Sequence, residues 1–321
     1  MVLGIDVSKL KLACAVLLNG KYKTKTIANT PAGFEMLWSW LERFDALPEH
    51  VCLEATGVYG EDVATFLHDR GLTVSIVNPT WVKGFAQSEG LRTKTDKVDS
   101  RLIANFCLSK RERLQAWQPA PKEQRELRDL TRRLEALKQM RIQEENRLEG
   151  NLSDLVVTNL KKHIRFLDKQ CTELEKKISD HIDRHPGLRQ KCDLLNSIPG
   201  VAETTSANLL SELSFDQFTS ARQAAAYAGL TPSDRQSGTS VKGRPRLSKI
   251  GSKRLRKALY MPAMAAMRYN PLLSHFAARL KQKGKAGKII VAAVMRKLIH
   301  MAFGILKSGR PFDPDYLPQL A

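Results

Sequence analysis

Residues 2–28 read VLGIDVSKLKLACAVLLNGKYKTKTIA, and the fold turns on them. Val2 to Val7, Leu12 to Leu18 and Tyr22 to Ala28 are apolar or β-branched runs. A short Lys-rich link joins the first two, and Asn19-Gly20, a dipeptide suited to the positive φ angles of a tight hairpin turn, joins the last two. The pattern predicts three consecutive antiparallel strands. Downstream, a helix is expected from Pro31 to about Leu47, a buried strand from His50 to Ala55, a helix from Glu61 to Arg70 and a strand from Thr73 to Val77. Three antiparallel strands followed by helix, strand, helix and strand is the order of an RNase H-like α/β domain, placed here at residues 1–120.

From Lys122 the composition becomes dense in Glu, Arg, Lys and Leu, with no Gly or Pro before Gly150. Leu127, Leu130, Leu134 and Leu137 step by three and four, as do Leu160, Ile164, Leu167, Cys171, Leu174 and Ile178. Residues 121–187 are therefore expected to form two coiled-coil-like helices turning near Gly150-Asn151, either as an intramolecular pair or as a subunit contact. Residues 188–321 read as a mostly helical domain. Within it, Ser197-Ile198-Pro199-Gly200-Val201 resembles the turn of a helix-hairpin-helix element, whose backbone N–H groups favour a phosphate. Ala202 stands where the second hairpin glycine would be, and an ordinary helix-packing turn is the competing reading.

The chain has 321 residues, too many for one core, and 52 Lys plus Arg against 33 Asp plus Glu. A surplus of 19 positive charges points to a polyanion, and aromatics at 7% do not supply the anchors of a membrane-surface helix. Nucleic acid is the expected partner and a membrane is not. The apolar stretch Ile289 to Leu306 is interrupted by Arg296, Lys297 and His300, and so reads as a buried or partner-facing helix. Five scattered cysteines with no C-x-x-C pair fit a reducing compartment, and the N-terminus lacks the pattern of a signal peptide. The expected location is the cytoplasm, on the nucleoid when active.

Asp6 and Glu54 each interrupt an apolar strand, where a carboxylate is costly without a cation or hydrogen bonds. Asp96 and Asp99 lie three apart at the expected start of a helix, on one face. As a pair, Asp96 and Asp99 also suit the helix dipole, which is the commoner reason for acids there. Taken with the strand carboxylates, they suggest phosphoryl transfer, which uses two hard cations about 3.5 to 4 Å apart held by oxygen ligands. Mg²⁺, two ions per site with Mn²⁺ as a substitute, is the expected cofactor. His181 and His185 are one turn apart but lack the motif of a zinc site, and Gly57-Val58-Tyr59-Gly60 lacks the ending of a phosphate-binding loop.

Between Arg235 and Lys257 there are nine basic residues and no acid: Arg235, Lys242, Arg244, Arg246, Lys249, Lys253, Arg254, Arg256 and Lys257. Glycines and hydroxyl side chains thread the run, letting the backbone approach phosphates. Of these, Arg235, Lys242, Arg244, Arg246, Lys249, Lys253 and Arg254, with Gly200, are the expected nucleic-acid contacts. Composition alone selects no serine here as a nucleophile.

Gly4-Ile5-Asp6-Val7-Ser8-Lys9, Leu53-Glu54-Ala55-Thr56-Gly57, Lys94-Thr95-Asp96-Lys97-Val98-Asp99 and Gln236-Ser237-Gly238 followed by Ser248-Lys249-Ile250-Gly251 together resemble the Piv-like DEDD transposases of bacterial insertion sequences, a family described as bridge-RNA-guided recombinases. The resemblance spans essentially the whole chain. It implies an RNase H/RuvC-like catalytic domain, a coiled-coil segment and a C-terminal transposase domain. It also implies that Asp6, Glu54, Asp96 and Asp99 are the metal-binding carboxylates and that Ser237 is the nucleophile, with Ser240 the runner-up. Double-stranded DNA (element ends and target), a structured noncoding RNA and a homo-oligomer, dimer or tetramer, are the implied partners. The rivals are a metal-dependent nuclease of the Holliday-junction resolvase type, in which the acids activate water, and a non-enzymatic architectural protein.

Overall fold

The computed structural model describes residues 1–55, 57–91, 93, 95–150, 152–233, 236–237, 241–243 and 246–315. They fall into two compact units, Met1–Pro119 and Ala120–Ala321.

The first unit is a five-stranded sheet covered on both faces. Strands β1 (Val2–Val7), β2 (Lys11–Leu18) and β3 (Lys21–Ala28) are antiparallel neighbours, and Asn19 and Gly20 make their hairpin at φ 49° and 74°. Helix α1 (Pro31–Leu41) starts on the Thr30 cap, with Pro31 fixing the first turn. It ends six residues short of the expected Leu47, because Arg43 and Phe44 donate to Trp40 and Leu41 in tight i to i+3 bonds that close the last turn. Strand β4 (His50–Glu54) then runs parallel to β1, followed by α2 (Glu61–Asp69) and β5 (Val74–Val77), giving the order β3-β2-β1-β4-β5. Two further helices complete the unit, α3 (Pro79–Ser88), capped by Asn78, and α4 (Asp96–Lys110), capped by Thr95. The sequence reading had assigned no helix to α3.

Side-chain alternation divides the sheet. Leu3, Ile5, Val7, Val51 and Leu53 pack with Phe34, Leu37, Val63 and Leu67 of α1 and α2. Val2 and Cys52 instead join Val82 of α3 and Leu102, Ile103, Phe106 and Cys107 of α4. Gly4 belongs to this second face. A Cβ there would come within 2.3 Å of the Ala104 nitrogen and 2.4 Å of the Ser100 oxygen, so glycine lets the α4 backbone lie directly on β1.

The second unit begins with α5 (Lys122–Arg147) and α6 (Asp154–Arg184), paired across a short turn. It continues through α7 (Pro186–Asn196), α8 (Glu203–Glu212) and α9 (Ala221–Tyr227). The short strands β6 (Pro232–Ser233), β7 (Gln236–Ser237), β8 (Val241–Lys242) and β9 (Arg246–Leu247) come next. Helices α10 (Lys253–Tyr269), α11 (Pro271–Gln282) and α12 (Gly287–Ser308) finish it. Residues 121–187 are expected from the sequence to form two coiled-coil-like helices. Their seam residues Leu127, Leu134, Leu137, Leu167, Cys171 and Ile178 share one core with the later helices. Polar bonds tie α5 to α8: Gln124 Nε2 donates to the Leu210 carbonyl at 2.7 Å, and Arg132 makes two bonds to Glu212 at 2.7 and 3.1 Å.

Helix α12 is long and apolar enough to cross a membrane by composition, but Ile290, Val294, Leu298, Ile299 and Ala302 are buried in that same core. All five cysteines are free and buried, and burial pushes the Cys14 thiol up to about 12.

Candidate active site

The carboxylates of the first unit gather at one end of the sheet. In the parallel β1–β4 register Ile5 lies opposite Leu53, so Asp6 and Glu54 stand side by side at the next position. Alternation puts both on the face that α4 covers, because Gly4 and Cys52, two residues earlier, already lie there. The first turn of α4 brings Asp96 and Asp99 to the same face, one residue before the Ser100 oxygen that lies over Gly4. The Thr95 hydroxyl accepts from the Val98 nitrogen at 3.3 Å, which fixes where this turn begins.

Lys11 is the cation of this edge. Its Nζ is 2.5 Å from Asp96 Oδ2, with both side chains about half exposed. The hydrogen bond and the charge hold the Asp96 carboxyl below its ordinary range and raise Lys11, which also feels Asp6. The sequence reading had seen only a Lys-rich link there. A strand-opening Lys is usually solvated, and nothing in the pattern tells which acid it reaches.

Oxygen donors of this kind fit a hard divalent cation chemically. As the side chains stand, though, no three His, Cys, Asp or Glu among the described residues form a group that would hold one ion. Asp6 and Glu54 lie on strand ends and Asp96 and Asp99 on the first turn of α4, with the Lys11 ammonium seated on Asp96. For all four carboxylates to share metal, Lys11 must release Asp96.

In the second unit, the basic serine segment is a narrow two-tier hairpin. Pro232 pairs with Leu247 and Ser233 with Arg246, and further out Gln236 pairs with Lys242 and Ser237 with Val241. Its base is locked. Ser248 donates to the Thr231 carbonyl at 2.9 Å, and Ser252 to that of Tyr227 at 2.8 Å. Gly251, at φ 140°, packs where a Cβ would meet the Tyr227 oxygen at 2.3 Å. Arg256 Nη1 donates to the carbonyls of Ala228 (3.1 Å) and Gly251 (3.2 Å), and burial lowers its pKa from the ordinary guanidinium value.

The expected nucleic-acid contacts thus divide. Arg246, Lys249 and Lys253 are exposed around the hairpin base. Arg254 donates to Glu135 of α5 at 2.9 Å, and Lys257 shares the same carboxylate, so the pair keeps one positive charge in excess. Arg256, drawn from the same run, is a structural clamp, and sequence cannot separate an inward arginine from its outward neighbours. Lys242 lies on β8, whereas Arg235, Arg244 and Ser240 fall outside the described residues. Gly200 has a packing role: at φ 97°, a Cβ on it would lie 2.6 Å from the Ala266 nitrogen of α10. Glu203 opens α8 beside it, and its carboxylate is taken by Arg189 at 3.2 Å.

Against known proteins, the family model described as Transposase, of the IS110 DEDD type, matches residues 3–157, and the Transposase IS116/IS110/IS902 family matches residues 192–278. The chain is 34% identical over 316 residues, 97% of each chain, to the pilin gene-inverting protein of Moraxella bovis, and equally to that of Moraxella lacunata. It is also 30% identical over 161 residues to an uncharacterized 43.6 kDa protein of insertion element IS110 from Streptomyces coelicolor, covering 50% of this chain and 38% of that one. Among solved structures, T. thermophilus RuvC in complex with a Holliday junction substrate matches 35% of this chain and 94% of its own, at 18% identity and a TM-score of 0.27.

Proposed function

From the premise that the chain belongs to the IS110-type DEDD transposases, enzymes that act on DNA, we propose that it recombines insertion-sequence DNA through a covalent serine–DNA intermediate. The observation that carries the reading is the placement of Asp6 and Glu54 one residue past the last registered pair of adjacent parallel strands, on the sheet face that α4, whose first turn bears Asp96 and Asp99, covers. A DEDD active site depends on divalent metal, and Mg²⁺, two ions with Mn²⁺ as a substitute, would supply charge for the attacking and leaving oxygens.

This chain's own groups do the rest. The four carboxylates orient the scissile phosphate by holding its counter-charge, and the exposed Arg246, Lys249 and Lys253 bind flanking phosphates. Ser237 supplies the attacking oxygen. Its Oγ bonds to phosphorus, one phosphate–deoxyribose oxygen bond breaks, and the serine proton ends on the freed deoxyribose oxygen. The new phosphoserine ester keeps the energy of the broken bond, so a deoxyribose hydroxyl from another end reseals the strand without ATP. The Moraxella relatives are named for inverting a gene, and inversion needs every cut end rejoined, which favours transesterification over hydrolysis. The surplus of 19 positive charges is compatible with a structured noncoding RNA as guide, and exchange of two duplexes calls for a homo-oligomer.

The test incubates the protein with Mg²⁺, the ends of its element and the RNA transcribed beside its gene, then digests and looks for a DNA-linked serine peptide. The expected result is an adduct at Ser237 that Ser237→Ala abolishes together with strand cleavage. Undiminished cleavage by Ser237→Ala, with no adduct from the parent, would establish the hydrolytic nuclease instead. An adduct at Ser240 would move the nucleophile within the same hairpin.

A further inference from the structure

The ladder between β1 and β4 stops one residue before the acids. Its last registered pair is Ile5 with Leu53, one residue short of Asp6 and Glu54. Each acid is still held on its outer side, since Val7 pairs with Leu12 and Glu54 with Val77. Past the acids the two strands run into separate turns, one through Ser8 and one through Tyr59, and the space between these turns is a second place where the strand ends can be tied.

Asn29 spans it. From the end of β3, its Nδ2 donates to the Ser8 carbonyl at 2.9 Å and to the Tyr59 carbonyl at 3.0 Å, while its backbone N–H donates to the Leu10 carbonyl. Both side-chain partners are acceptors, so the nitrogen of the amide must face them. Ser8 follows Asp6 by two residues, in a turn closed by its own bonds to the Lys11 carbonyl at 3.0 and 2.8 Å. Tyr59 lies in the short helical turn Gly57–Gly60 that leads away from Glu54, and a Cβ on Gly60 of that turn would lie 3.7 Å from the side chains of both Val7 and Leu53. Both turns are internally stiff, so shifting either carbonyl shifts the strand end that carries an acid.

We propose that Asn29 is a positioning residue that ties together the two turns following β1 and β4, and so helps fix Asp6 against Glu54. This rests on the carboxylate reading given under Proposed function. It assigns a role to a residue that touches neither metal nor DNA, with two hydrogen bonds that aim a pair of metal ligands.

The test is Mn²⁺ binding to the full-length protein, read from the free-ion signal in electron paramagnetic resonance, beside thermal melting. Asn29→Ala removes the bridge. Asn29→Asp keeps the shape but puts an acceptor against two carbonyls, and serves where Asn29→Ala does not fold. Thr30→Ala removes the neighbouring cap of α1, bonded to the Gly33 nitrogen, without touching either turn.

Both Asn29 variants are expected to weaken Mn²⁺ about tenfold, a typical cost of losing support behind a metal ligand, while Thr30→Ala binds as the parent does. Parent-like binding by a folded Asn29 variant overturns the proposal, and so does equal weakening by Thr30→Ala, which would mark a general loss of structure. Asp6→Asn separates the two levels. If it abolishes Mn²⁺ binding while Asn29 variants bind normally, only the role of Asn29 falls. If Asp6→Asn binds as tightly as the parent, the carboxylate reading fails and takes the proposal with it.

Discussion

The two units hold their chemistry in opposite ways. In the first, Asp6, Glu54, Asp96 and Asp99 sit on two strand ends and a helix turn, where register and a close glycine contact dictate their places. In the second, Ser237 lies on the outer tier of a hairpin whose order comes from its base, through Arg256, Gly229 and Gly251. The contrast is between groups placed by regular structure and a group placed by a loop. The first arrangement gives precision, and the second would give the proposed nucleophile room to move between cutting and rejoining.

The largest effect should come from Glu54→Gln, which keeps volume and removes a charge. Strand cleavage is expected to fall by about 10³-fold, the scale of losing a preorganised electrostatic contact. Thermal stability should hold or rise, because two neighbouring carboxylates repel each other in the absence of metal. A variant that still cleaves at the parent rate would place the chemistry wholly in the second unit and break the comparison.

Next come two packing changes, one in each unit. Gly4→Ala sets a methyl against the α4 backbone, where only main-chain movement relieves it, at a cost of about 1–3 kcal/mol. Leu127→Ala empties a fully buried site in the helical core, at a cost of about 2–5 kcal/mol. Hydrogen exchange followed by peptide should show protection lost in residues 1–119 for Gly4→Ala and in residues 120–315 for Leu127→Ala. Gly4→Ala should also impair cleavage, since α4 carries two of the acids. Protection lost equally across both units would mean that they unfold as one.

These differences decide what sequence alone revealed. Strand alternation is local, so the β1–β2–β3 hairpins, the face shared by Asp6 and Glu54 and the start of α4 follow from residues near one another. Lys11, Asn29 and Arg256 were not legible, because each acts through partners 20 or more residues away (Asp96, Tyr59 and Ala228) in contacts that no periodicity encodes. The coiled-coil leucines were legible as seams, but their joining to α8 rests on Gln124, Thr131 and Arg132, polar residues that a heptad pattern treats as surface. Ser237 was selected by family resemblance alone.

A smaller effect is expected from Arg256→Lys. An ammonium can reach one carbonyl of the Ala228–Gly251 pair but lacks the planar fork that serves both. Stability should drop by about 1 kcal/mol, the worth of one hydrogen bond. Adduct formation at Ser237 should fall further than that loss explains, because the base of its hairpin loosens, while Mn²⁺ binding by the first unit stays as in the parent. Adduct yield that merely tracks the fraction folded would show that the hairpin needs no anchoring at its base.

The smallest effect is one of pH, and it has the same sign in both units. Ser75 gives its hydroxyl proton to the Gln115 carbonyl at 2.6 Å, so at 2.8 Å it must accept from His50, whose proton therefore sits on Nε2. Burial, then the charge of Arg111, lowers the His50 pKa from its ordinary value of 6.5. His300 of α12 is lowered by burial first, then by Arg296, Lys297 and Arg222. A histidine held neutral on folding binds fewer protons than the unfolded chain does. Its contribution is complete above the unfolded value of 6.5 and declines as pH falls from there through the lower folded value. Each should contribute a slope of at most about 1.4 kcal/mol per pH unit within that window, the limit for one proton. Denaturation at pH 7 and pH 5.5, compared with His50→Gln and His300→Gln, measures each share. His50→Gln should flatten the acid loss in residues 1–119 alone, and His300→Gln in residues 120–315 alone. An unchanged slope in His50→Gln would mean that the His50–Ser75–Gln115 chain still accepts a proton in the folded state, and that the end of the sheet opposite the acids is looser than its packing implies.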